Sequence, residues 1–153
     1  MNLAGTIYGT VIATALVAGL TEDDSLGEWE VIAWLLATMV TFWVAHAYAN
    51  LLAGMSSGGR FPSLRDARAA LGHEWAIVSA AGPAVVMLAL GGLHVISGRT
   101  AEALAVGVGL LALGGWGWVL AARGNVGVAR RLVAALLSVA LGVAVIVLKL
   151  AVK

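Results

Sequence analysis

Five long apolar runs, joined by short polar loops, make up nearly all of this chain: Leu3–Leu20, Val31–Gly54, Trp75–Ser97, Ala101–Ala122 and Val133–Val152. About 20 residues of helix cross a hydrocarbon core of ~30 Å. In lipid a spanning segment must satisfy its own backbone N–H and C=O groups, so each run is expected to be a helix. The predicted class is therefore all-α: a polytopic membrane bundle of five transmembrane helices, with residues 1–153 forming one transmembrane domain.

Composition agrees with that class. Charged residues are only 11% of the chain and apolar residues 61%, where a soluble domain carries roughly 25% charge. The 20 glycines would be costly in soluble helices, but in membranes they allow close helix contact. The absence of cysteine excludes thiol catalysis, disulfides and thiolate metal sites.

The charges are distributed unevenly. The loop after the first run carries Glu22, Asp23, Asp24, Glu28 and Glu30. The second and fourth loops carry Arg60, Arg65, Arg68, Arg123, Arg130 and Arg131, leaving Arg99, Lys149 and Lys153 for the opposite side. The positive-inside rule then places the N-terminus in the cytoplasm and the C-terminus outside, in a multi-pass protein of the cell membrane. Trp29, Trp34, Trp75, Trp116 and Trp118 lie near predicted helix ends as interfacial anchors, whereas Trp43 lies mid-helix.

The longest connection, 55–74, holds a helix start. Ser63 can cap and Asp66 sits three residues on, a variant of the capping box. Leu64, Ala67 and Leu71 share a face apart from Arg65 and Arg68, which predicts a short amphipathic helix on the cytoplasmic membrane surface. Gly82-Pro83 predicts a kink in the third run. Gly107, Gly109, Gly114, Gly115 and Gly117, and the Ser138-x-x-x-Gly142 pattern, predict tight helix contacts.

Two polar patterns stand out against this background. Trp43, His46 and Asn50 are spaced i, i+3, i+7, so one face of the second helix should turn toward protein or water. His46 is a candidate proton relay; alternatively it and Asn50 make interhelical hydrogen bonds that fix packing. Thr6, Thr10 and Thr14 stand four residues apart on the first helix. Their hydroxyls can line a path for a partly dehydrated cation, or bond back to carbonyls of their own helix. Glu22, Asp23 and Asp24 could gather cations at a pore mouth. His73-Glu74 is expected to act in capping or headgroup contact, since two adjacent residues do not make a zinc site.

Nothing in the sequence suggests catalysis: there is no nucleophile–base set, no phosphate-cradling loop and no nucleic-acid patch, and neither a metal nor a cofactor is expected. Two functions fit. One is an oligomeric channel or small permease passing potassium or a proton. The other is a non-catalytic scaffold or accessory subunit of a larger membrane complex.

In style, and in pieces such as Phe42-Trp43-Val44-Ala45-His46-Ala47-Tyr48 and His73-Glu74-Trp75, the chain resembles the small Ala/Val-rich integral membrane proteins of actinobacteria. Over roughly the first 50 residues, Trp43-Val44-Ala45-His46 also resembles the Trp-x-x-His pattern in the second helix of bacterial relatives of the endolysosomal potassium channel. That resemblance implies a homo-tetramer with first helices around a central cation path, in which Ile7, Val11 or Thr14 would line a hydrophobic constriction. The chain departs from that family in lacking an Arg-x-x-x-Phe-Ser-Asp start, and in having five predicted spans rather than six.

Overall fold

A computed structural model describes residues 3–21, 25–58, 61, 63–124 and 126–151. Among them are six helices: α1 (Leu3–Leu20), α2 (Glu28–Gly58), α3 (Leu64–Ser79), α4 (Gly82–Gly92), α5 (Gly98–Arg123) and α6 (Val128–Ala151). α1, α2, α5 and α6 are each long and apolar enough to cross a membrane, and α3 with α4 makes a fifth crossing if the bent pair counts as one span.

Local chemistry explains the helix boundaries. α2 begins at Glu28, three residues before its apolar run, with two acids in its first turn. There they complement the positive end of the helix dipole, and the Glu30 carboxylate accepts from Gly27 N at 2.9 Å. Ser63 caps α3 in a complete capping box with Asp66.

The third run departs from the sequence expectation. The amphipathic segment and the start of the apolar run are not separate; α3 passes through both without a break and ends at Ser79. Pro83 is the cause. Its ring would clash with the carbonyl four residues earlier, that of Ser79, so the helix stops there. It restarts as α4 with proline in the first turn, and the two axes differ by 49°.

α4 closes with a Schellman motif: His94 N donates to Gly91 O at 2.7 Å and Val95 N to Leu90 O at 3.0 Å. His94 takes the left-handed position with φ 59°.

α1 is the centre of the bundle and touches all five other helices. Val17, Leu35, Met39, Ile77, Ala81, Leu88 and Ala105 form a fully buried core around it. Large apolar side chains such as Leu111, Leu136, Leu137 and Leu148 face outward, the arrangement a hydrocarbon solvent favours. α6 is the most peripheral helix, with 6% of its most apolar stretch buried.

Four of the glycine positions make the predicted close approaches. A Cβ on Gly109 would collide with Thr14, on Gly117 with Ser138 and the Ala134 carbonyl, on Gly142 with Leu113, and on Gly114 it would press on Val139. Gly107 and Gly115 face open space.

The helix directions gather the arginines. Thr14 meets Gly109 while Thr6 and Thr10 lie with Ala112 and Trp116, so α1 and α5 run antiparallel. Gly9 meets Ile77 and Ala80 while Gly5 lies with His73 and Glu74, so α1 and α3 run the same way. The starts of α1, α3 and α6 and the ends of α2 and α5 therefore share one end of the bundle, which carries Arg65, Arg68, Arg123, Arg130 and Arg131.

Candidate functional site: a buried carboxylate between α1, α2 and α3

At the arginine end, α1, α2 and α3 surround a cleft of about 430 Å³ lined by Ala4, Gly5, Tyr8, His46, Asn50, His73, Glu74 and Ile77. Its chemical centre is Glu74, whose residue is only 4% exposed. An uncompensated carboxylate at such a place is costly, so the surroundings must supply hydrogen bonds. Asn50 Nδ2 donates to Glu74 Oε1 at 2.8 Å from α2, and His73 Nδ1 approaches the same oxygen at 2.9 Å. Both contacts meet at one atom. His73 itself is mostly exposed, at 67% of its side chain, so the pair bridges the buried carboxylate and the surface.

His46 stands on the other wall. Its Nδ1 lies 2.9 Å from the Phe42 carbonyl. A carbonyl only accepts, so Nδ1 carries a proton and Nε2 is the atom left to exchange one. The ring packs against Tyr8, with centroids 5.0 Å apart, and Phe42, at 6.5 Å. Trp43 belongs to the same face but serves packing. Its Nε1 donates to Leu71 O at 2.8 Å, and its ring meets Trp75 edge to face at 5.4 Å. Partners of the Trp43/His46/Asn50 face lie on α1 and α3; Trp43 and His46 are half-buried and Asn50 is exposed.

Two threonines of the stripe bond back to their own helix, while Thr6 and Thr10 also line a cavity between α1, α3 and α5. Thr10 Oγ1 donates to Thr6 O at 2.8 Å and Thr14 Oγ1 to Thr10 O at 2.7 Å. Thr10 and Thr14 are 3% and 2% exposed, and Thr14 presses on α5 at Gly109. Ile7 and Val11 are half-buried on the same helix. Glu22, Asp23 and Asp24 lie outside the described residues. Among the described residues no group of three His, Cys, Asp or Glu side chains could hold a metal ion.

Glu74 is the residue that sequence reasoning assigned to a lesser role. A signal for it existed. Once α3 is taken as continuous, Glu74 falls on one face with Ile77, three positions on, and Ile77 is fully buried. Tyr8, which packs beside His46, carried no pattern of its own in the sequence.

No protein-family model matches the chain, and neither a curated protein nor a solved structure is significantly similar to it.

Proposed function

We propose that the protein is a small cation permease of the cell membrane that loads a proton at Glu74 from the arginine end of the bundle. The observation that carries this reading is the carboxylate itself. An ionisable group packed among membrane helices is expensive to keep and is normally tied to an ion or proton pathway. Here it sits in a cleft with two histidines and a tyrosine, side chains able to pass a proton onward.

The arrangement favours a proton over potassium. A potassium ion needs a shell of oxygen atoms to replace its water. At Glu74 two of the contacts on Oε1 come from nitrogen atoms of Asn50 and His73, and a proton requires only a single acceptor. It also favours a permease over a pore around a symmetry axis, because the polar cleft is formed by helices of one chain and α1 packs against all five other helices. In this reading the arginine end is cytoplasmic.

The scaffold reading draws support from different features: threonines bonded within their own helix, glycine-mediated packing, and an apolar α6 with little of its surface buried.

Flux through purified protein in liposomes separates the two. Permease function predicts proton uptake, driven by an imposed membrane potential, well above protein-free vesicles, with potassium flux near background. A scaffold gives no flux of either ion.

A further inference from the structure

On the other side of α3 lies a second cavity, and it has a different character. This slot, of about 440 Å³, runs between α1, α3 and α5. Its lining is mostly small or apolar, with Ala76, Ala80, Ala112, Trp75 and Trp116, and also includes Thr6, Thr10, His73 and Ser79. The Thr10 and Ser79 hydroxyls are engaged by the carbonyls of Thr6 and Ala76. Pro83, at the 49° bend between α3 and α4, is among its lining residues.

The water end of the slot is basic. Arg65 and Arg68 precede Gly72, a lining residue, by seven and four positions, two turns and one turn of the same α3 face. Arg123 follows Trp116 by seven positions on the lining face of α5, about 10 Å further toward the arginine end. All three arginines are exposed, and none makes an ion pair among the described residues. An apolar slot capped by arginines from two helices complements one kind of molecule, an amphiphile with an anionic head and a hydrocarbon tail.

We propose that this slot binds an anionic phospholipid, with an acyl chain between Trp75 and Trp116 and its phosphate at Arg68 and Arg123. The membrane around the protein supplies the ligand, and His73 lines both this slot and the Glu74 cleft.

The test uses the full-length protein in vesicles containing phosphatidylglycerol or phosphatidylcholine with brominated acyl chains, which quench nearby indoles. The Trp116 signal is taken as the difference from Trp116→Phe. Brominated phosphatidylglycerol is expected to quench it at a several-fold lower mole fraction than brominated phosphatidylcholine. Arg68→Gln and Arg123→Gln should each reduce that preference by about fivefold, the effect of one basic residue near an anionic surface. Ala112→Leu should weaken quenching by narrowing the slot without changing charge. Equal quenching by both lipids would overturn the proposal in favour of ordinary surrounding lipid. Absence of quenching by either would mean the slot is covered by another copy's helix, and would overturn it as well.

Discussion

At Gly9 α1 packs tightly against α3, beside the Glu74 cleft. A Cβ added at Gly9 would stand 2.6 Å from the Ile77 carbonyl oxygen and 3.0 Å from the Ala80 Cβ. A comfortable carbon–oxygen contact is about 3.3 Å, so Gly9→Ala must push the helices apart by roughly 0.7 Å. The obstacle is backbone, which cannot rotate away. A gap of that size forfeits about a quarter to a half of the dispersion energy of the facing atoms, and overpacking of this kind costs about 1–3 kcal/mol. Alanine returns up to ~1 kcal/mol through its helix propensity. Gly107 supplies the control, since nothing lies within 4 Å of its Cβ position. There only the propensity term operates. Gly9→Ala should therefore be about 2 kcal/mol less stable than Gly107→Ala, although the two changes are chemically identical. Reversible unfolding in mixed micelles, followed by tryptophan fluorescence, measures the difference. Equal stabilities would refute the close approach and with it the placement of α1 against α3.

Two further outcomes follow from the described contacts. Removing the Asn50 side chain takes a donor away from a buried carboxylate, so Asn50→Ala should cost about 1–3 kcal/mol. In a double-mutant cycle with Glu74→Ala, a coupling of at least about 0.5 kcal/mol is expected, and additivity would show that the two groups do not interact. His94 occupies the left-handed position of a Schellman motif, where a side chain costs about 1–2 kcal/mol. His94→Gly should therefore raise the unfolding midpoint, and a lowered midpoint would mean the imidazole has a contact that outweighs the strain.

Much of the fold is legible in the sequence because membrane helices announce themselves locally. The first apolar run, Leu3–Leu20, coincides with α1. The second, fourth and fifth lie inside α2, α5 and α6 or within a residue of their ends. The Ser63/Asp66 cap is equally local and forms as read. The third run is less legible, because a hydropathy pattern marks where a segment is apolar rather than where a helix begins. α3 carries Arg65, Asp66, Arg68 and Glu74, so its polar first half and apolar second half looked like two objects. That division hid the site. With Glu74 treated as a helix start, nothing indicated that its side chain is buried beside Ile77. The Trp43/His46/Asn50 face was visible from spacing alone, but its partners Leu71, Trp75 and Glu74 are more than 20 residues away, and no local pattern encodes them. The threonine stripe shows the converse limit. Its spacing fits both a lined path and back-bonding, and in the structure Thr10 and Thr14 bond back while Thr6 and Thr10 line a cavity.

The most direct test of the Glu74 account is proton uptake by proteoliposomes containing wild-type protein or Glu74→Gln, measured with a trapped pH-sensitive dye under the same imposed potential. Glutamine keeps the size of the side chain and an oxygen to receive Asn50, but it cannot take up the transported proton. The account predicts that wild-type uptake exceeds that of empty vesicles and that Glu74→Gln loses it at least tenfold while its unfolding midpoint shows the fold intact. A folded Glu74→Gln protein that carries protons at the wild-type rate would contradict it.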